Sequence, residues 1–307
     1  MSRVGAPRQD PVPIGQIAEP PFARLPDPLT LFAARARRFR SLAEGHDLAP
    51  YLRFLAALSD VQSRLQDGLA EPDMPAPDVR ERAREHRMPP LDRSRFTTDA
   101  AFDTTIERLL SLASMIEMPE QAAAALTRVK ATDAAARDAM ARAVLADSVP
   151  AEALAEHVYV AAALQVHFAR LAARLDAARL TPVGDGACPV CGGSAAASFL
   201  VGWLGSHGAR FCACGLCGTM WNYVRIKCVL CGSTKGIAYR EVEGGPGTVK
   251  AETCDACRGY VKILNQQKEP DVDSIADDVA SLALDLLVRE AGFRRGAVNP
   301  FLIGYQR

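Results

Sequence analysis

Eight of the nine cysteines in this 307-residue chain stand in four C-x-x-C pairs, at Cys188/Cys191, Cys214/Cys217, Cys228/Cys231 and Cys254/Cys257. Each of the last four positions lies 40 residues after one of the first four, so both halves read C-x2-C-x22-C-x2-C. A thiolate is a soft donor, and four of them at about 2.3 Å complete a tetrahedral shell around one ion. Cys188, Cys191, Cys214 and Cys217 therefore form one expected metal site, and Cys228, Cys231, Cys254 and Cys257 the second. Four thiolates suit zinc and iron alike, so the expected cofactors are two ions per chain, iron or zinc. A unit of about 40 residues buries too little apolar surface to fold alone. A structural ion supplies roughly 10–16 kcal/mol of folding free energy to such a unit.

The turns must be made by residues that suit them. Gly192, Gly218 and Gly232 directly follow three of the pairs, where a knuckle favours positive φ. Arg258 holds that place after the fourth pair, with Gly259 next, which suggests a different turn there. The ninth cysteine, Cys212, has Glu252 as its counterpart 40 residues on, and reads as a non-ligand thiol near the first site. The sharper reading makes it an alternative ligand or a reactive thiol. His157 and His167 are ten residues apart on one helix, nearly three turns, too far to share an ion. His207 reads as an exposed turn residue. Asp277 and Asp278 begin a helix, where carboxylates complement the dipole; contact with a partner is the other reading.

Composition narrows the function. Lys+Arg and Asp+Glu are both 36, giving a formal net charge of zero. Residues 184–265 hold eight Lys/Arg and five Asp/Glu, a surplus that eight thiolates and two divalent ions turn into a net −1. That disfavours a nucleic-acid-binding zinc ribbon, although Arg210, Arg225, Lys227, Arg240 and Lys250 could share a face. No apolar run reaches the ~20 residues of a membrane span, and the start lacks a signal-peptide core. The expected location is the cytoplasm, where paired cysteines read as metal ligands or redox thiols before disulfides. The G-x-S-x-G, P-loop, dinucleotide and H-E-x-x-H patterns are missing from the sequence, so no catalytic residue is assigned.

The elements that position the cysteines follow from periodicity. Residues 1–28 carry seven prolines and read as an irregular or disordered arm. A helical domain is expected over 29–183, with helices from about Thr30 to Gly45, over 51–65, 99–117, 119–130 and 133–147, and a last one from Pro150 to near Leu180. Its stripe is Leu154, Val158, Ala161, Leu164, Phe168, Leu171 and Leu175. Residues 68–98, with five prolines, read as a connection with at most a helical turn. The modules are expected at 184–226 and 227–268, with strands at 199–204, 221–226, 237–242 and 260–264. A helix and tail fill 269–307, the helix capped by Ser274 and burying Ile275, Val279, Leu282 and Leu286.

Several stretches resemble one known family, the FdhE-type formate dehydrogenase accessory proteins. They are the fourfold cysteine register with CPVCGG first, W-N-Y-V-R-I-K-C-V-L-C (221–231) and A-E-T-C-D-A-C-R-G-Y-V-K-I-L (251–264). A-D-D-V-A-S-L-A-L-D-L-L (276–287), N-P-F-L (299–302) and the N-terminal R-F-R-S-L-A-E-G-H-D-L-A-P-Y-L-R-F add to these. The resemblance covers nearly the whole chain except its first ~20 residues. It implies an α+β protein: a helical domain, two tandem rubredoxin-like four-cysteine modules and a C-terminal helix. It also implies a cytoplasmic, non-enzymatic maturation factor that binds the catalytic subunit of respiratory formate dehydrogenase during assembly. A homodimer is compatible with it. The alternative from chemistry alone is a rubredoxin-like electron-transfer or thiol-redox protein.

Overall fold

The structure is a computed structural model that describes residues 19–302. Helices come first: α1 (Pro28–Leu42), α2 (Ala49–Arg64), α3 (Pro77–Glu85), α4 (Ala100–Ala113), α5 (Glu120–Ala131), α6 (Ala134–Leu145) and α7 (Leu154–Ala173). Short acidic side chains start three of them. Asp27, Asp99 and Asp133 accept from the backbone N–H groups of Leu29, Phe102 and Ala136, donors that a helix start otherwise leaves unpaired. The connection expected over 68–98 contains a nine-residue helix, α3, and a 3₁₀ turn at Arg93–Arg95. α3 buries none of its residues, so it has no apolar stripe by which to be seen.

α7 lies at the centre of the bundle, against α1, α2, α4, α5 and α6. Its burial wraps the whole helix rather than one stripe, and Ala161, Ala162, Ala163, Ala169 and Ala172 are fully enclosed. Small side chains let the neighbouring helices approach on every side. The helix stops at Ala173, short of Leu180, and Asp176 then caps a separate 3₁₀ turn. His167 points into this core, with ring centroids 5.3 Å from Phe96, 5.7 Å from Phe102 and 6.1 Å from Phe168.

Burial pushes the His167 imidazole down to about 4, against the opposing pull of Asp99 and with the push of Arg170. In the unfolded chain it titrates near 6.5. Between those values the unfolded state binds the extra proton, so stability falls as pH drops through this window. Chemical denaturation at pH 5 should show about 2 kcal/mol less stability from this residue than at pH 7. His167→Phe should remove that part of the slope while keeping the aromatic contacts. An unchanged slope in the variant would contradict the assignment.

The second half is built on one sheet. Its strands are β1 (Ala23–Arg24), β2 (Ala195–Leu200), β3 (Arg210–Cys214), β4 (Met220–Asn222), β5 (Ile237–Arg240), β6 (Val249–Cys254), β7 (Gly259–Asn265) and β8 (Arg294–Arg295). The order is β1-β4-β3-β2-β7-β6-β5, with β8 beside β7. The 40-residue repeat is visible in three dimensions: β2, β3 and β4 recur as β5, β6 and β7. Both sets keep the same lateral order, so the modules lie head to tail in one sheet. β2 and β7 join them as a parallel pair, Ser198 opposite Ile263 and Phe199 opposite Leu264. Beside this seam Arg210 and Glu252 form a buried ion pair at 2.9 Å.

Several local expectations are corrected. The strand read at 199–204 starts earlier, at Ala195, and the one read at 221–226 occupies Met220–Asn222. β3 and β6 were not expected. The proposed arm lies outside the described residues as far as residue 18, but Ala23–Arg24 are ordered as a strand against Trp221 and Met220.

The C-terminal helix is broken into α8 (Ala276–Ala280) and α9 (Leu282–Glu290). Asp273, not Ser274, caps its start, accepting from Ile275 N at 2.9 Å and Ala276 N at 2.8 Å. At the break, the Ser281 hydroxyl donates to the Asp277 carbonyl at 2.6 Å and competes with the helix ladder. The face then rotates: Leu284 and Val288 are buried, whereas Leu286 is 44% exposed. Asp277 and Asp278 lie in the first turn of α8, as the dipole reading expects, and at 2% and 0% exposed they are too buried for a partner contact. Asp277 holds Arg38 of α1 at 2.7 Å, and Asp278 holds Lys262 at 3.1 Å and also Arg295. These pairs fasten the C-terminal segment to the helical domain and to β7. No helix among the described residues is long and apolar enough to cross a membrane.

Candidate metal centres

The fold gathers the eight paired cysteines into two groups, Cys188/Cys191/Cys214/Cys217 and Cys228/Cys231/Cys254/Cys257, each with its sulfurs within 4.8 Å of one another. In the first group Cys188 and Cys217 are 3.6 Å apart, and Cys191 and Cys214 are 3.4 Å apart. In the second, Cys228 and Cys257 are 3.9 Å apart, and Cys231 and Cys254 are 3.8 Å apart. Four sulfurs about 2.3 Å from a central ion stand about 3.8 Å from each other on the edges of a tetrahedron. A disulfide would bring two of them to about 2.05 Å; all nine cysteines are free. The groups thus have the dimensions of tetrahedral thiolate sites, and two ions could be held.

Tight knuckles present the sulfurs. Gly192, Gly218 and Gly232 take φ of 75°, 74° and 72°, and their N–H groups donate to the carbonyls of Cys188, Cys214 and Cys228 at 2.9, 3.2 and 2.9 Å. Arg258 also takes positive φ, at 55°, so the fourth turn keeps the backbone sign of the other three with a non-glycine residue in that place. A non-glycine residue there costs roughly 1–2 kcal/mol. The Arg258 guanidinium offsets that cost by lying 4.0 Å from the centroid of the Phe293 ring and donating to the Ala291 carbonyl at 3.2 Å. Backbone N–H groups also point at sulfur: Cys217 N donates to Cys214 Sγ at 3.5 Å, and Leu230 N to Cys228 Sγ at 3.4 Å. They favour the charged thiolate.

Ionising all four sulfurs of a group would call for a cation among them. Burial pushes the Cys188 thiol well above its ordinary range, while its neighbours donate to Cys214 and hold that sulfur well below. Four thiolates this close cannot all be charged by themselves. A divalent ion reverses that logic and deprotonates its ligands.

The two groups differ in their surroundings. Cys188, Cys191, Cys214 and Cys217 are all buried, and the helical domain grips both of their knuckles. Leu91 N donates to the Val190 carbonyl at 2.9 Å, Arg93 N to the Cys191 carbonyl at 3.1 Å, and Gln165 Nε2 to the Gly215 carbonyl at 2.7 Å. Sequence reasoning missed these contacts, because the 89–93 segment has no period and Gln165 sits unmarked in an apolar helix. In the second group Cys228 and Cys254 are buried, Cys257 is half-buried and Cys231 is exposed.

The remaining candidates stand elsewhere. Cys212 is buried at the module seam, its sulfur 3.6 Å from Ser198 Oγ, and joins neither group. Burial pushes its thiol up, which removes the nucleophilic character that the sharper reading needed. His157 is buried with Nδ1 2.6 Å from the Ala153 carbonyl, and His207 is exposed. Arg225 and Lys250 line one pocket, but the five basic residues do not all share a single face. Arg210 is buried on Glu252, Lys227 pairs with Asp185 at 2.5 Å, Lys250 pairs with Glu241 at 2.9 Å, and Arg240 lies over Phe293.

Three family models match successive parts of the chain. Residues 20–185 match the family described as FdhE, N-terminal; residues 187–225 match the FdhE central domain, and residues 226–302 the FdhE C-terminal domain. A protein FdhE homolog from Rhizobium meliloti (strain 1021) is 46% identical over 298 residues, covering 96% of this chain and 97% of the relative. One from Edwardsiella ictaluri (strain 93-146) is 38% identical over 285 residues, covering 91% and 90%. The crystal structure of the FdhE protein from Pseudomonas aeruginosa superposes with a TM-score of 0.82 at 32% identity, over 92% of this chain and 99% of that one. A helical region, two four-cysteine clusters on one sheet and C-terminal helices thus accompany a sequence match along nearly the whole length, and the chain belongs to the FdhE family.

Proposed function

We propose that this protein is a maturation factor for respiratory formate dehydrogenase, acting in the cytoplasm on the catalytic subunit before that enzyme is complete. Family membership supports the reading, and the donor sets carry its chemistry. Cys188, Cys191, Cys214 and Cys217 would hold one ion, and Cys228, Cys231, Cys254 and Cys257 the other. Four sulfurs close a coordination shell and leave no position for water or substrate, which favours a binding role over catalysis. The ions would stabilise the sheet, and the sheet with the helical bundle would present the docking surface. Co-purification tests this: the protein should capture the catalytic subunit of formate dehydrogenase in its cofactor-free form. Capture of neither the cofactor-free nor the mature subunit would reject the reading.

A second reading rests on the exposure of Cys231. With iron in that centre, the protein would carry one electron. Visible absorbance that bleaches reversibly on reduction, with electron delivery to the client, would favour it; a colourless zinc protein excludes it.

A further inference from the structure

The two clusters share a sulfur geometry and differ in access, and that difference has a chemical consequence. Opening the first cluster means pulling a knuckle away from the helical domain. Leu91, Arg93 and Gln165 hold its backbone by hydrogen bonds. A side-chain atom added at Gly218 would lie 2.8 Å from Leu31, and one at Gly192 3.1 Å from Pro89. No sulfur of this cluster is more than 2% exposed. The second cluster is anchored on its inner side and along residues 185–186, where a Cβ at Gly186 would come within 1.9 Å of the Val229 carbonyl. Cys228 and Cys254 are buried, and Leu230 fits against Gly259 and Gly296, where a Cβ would come within 2.5 and 2.2 Å of its side chain. Its outer side is solvent: Cys231, Asp255 and Arg258 are exposed and Cys257 is half-buried. A chelator or a soft electrophile attacks a thiolate it can touch, and local opening of such a face costs less than undocking a domain.

We propose that the centres are kinetically unequal. The ion held by Cys188, Cys191, Cys214 and Cys217 is permanent. The ion held by Cys228, Cys231, Cys254 and Cys257 exchanges with solution through the Cys231–Cys257 face, and Cys231 is the first thiol to react when that ion leaves. The second centre is therefore the one that responds to soft metal ions, thiol-type chelators and electrophiles, and its occupancy sets the order of the two outer knuckles. This rests on the reading that both clusters bind metal.

The test uses the full chain, purified anaerobically and loaded with zinc. A colour-forming chelator follows zinc release while iodoacetamide labels free thiols, which are located by peptide mass mapping. One ion per chain should leave at least about tenfold faster than the other. Label should appear first on Cys231 and Cys257, with Cys188, Cys191, Cys214 and Cys217 protected and the helical circular dichroism unchanged. Cys231→Ser should keep one ion, the slow one. Two ions that leave together, or labelling of the first cluster before the second, would overturn the inequality while leaving the metal reading intact. A chain that takes up no zinc would overturn both.

Discussion

Replacing Cys191 with serine should remove one metal ion per chain and destroy cooperative folding of the sheet. Cys191 is fully buried, 3.4 Å from Cys214, and the helical domain binds its carbonyl through Arg93 N. A serine oxygen is a harder and less acidic donor with a shorter reach, so three thiolates remain in a dry site with a poor fourth ligand. An ion contributes roughly 10–16 kcal/mol to a small metal-held domain. A whole domain keeps only about 5–15 kcal/mol of net stability. Loss of the ion thus exceeds what the surrounding packing can absorb. Elemental analysis together with thermal melting should show one ion fewer and no cooperative sheet transition. A Cys191→Ser protein with two ions and an unchanged melt would refute the role assigned to this residue.

The second large effect is expected at Lys262, which belongs to neither cysteine cluster. Its ammonium group is fully buried, 3.1 Å from Asp278 Oδ1, 2.5 Å from Asp285 Oδ2 and 2.8 Å from the Asp278 carbonyl. Arg295 pairs with the same two carboxylates, so two cations face two anions in a closed group. Burial alone would push Asp278 up, but Arg295 and Lys262 outweigh it and hold that carboxyl below its usual range. Tyr260 donates to Asp285 at 2.6 Å and Asn299 Nδ2 to Asp278 at 2.8 Å, which completes the network.

Lys262→Met leaves two buried carboxylates with one guanidinium. Stranding a buried charge costs about 3–5 kcal/mol, and denaturant titration at pH 7 should show a loss of that size. Adding Asp285→Asn restores the charge balance, so the double variant should recover part of the loss. Equal destabilisation in the single and double variants would show that packing, rather than charge, is what Lys262 supplies.

How much of this could be read in advance depends on what physics marks each residue. The cysteines were legible because a tetrahedral thiolate site demands close pairs, and the same demand repeated 40 residues later names both sites. Apart from α3, which buries none of its residues, the helices of the bundle were legible from their apolar period. β3 and β6 were not, because R-F-C-A-C and V-K-A-E-T-C mix ligands and charges with few apolar residues; their burial comes from the seam between modules, seen in the buried Arg210–Glu252 pair. The break at Ser281 depends on a hydroxyl that can serve a helix or interrupt it. The acidic pair Asp277–Asp278 looks like a solvated helix start until Arg38, Lys262 and Arg295 arrive from distant segments. The inequality between the two clusters was hidden for the same reason. Both have the same local sequence pattern, and only long-range packing by the helical domain buries one of them.

Eight named sulfurs are expected to enclose two ions. X-ray absorption at the metal edge, on protein purified anaerobically without added metal, tests this most directly. Two ions per chain are expected, each with four sulfur neighbours at about 2.3 Å. Nitrogen or oxygen in the first shell, or fewer than two ions bound, would contradict it.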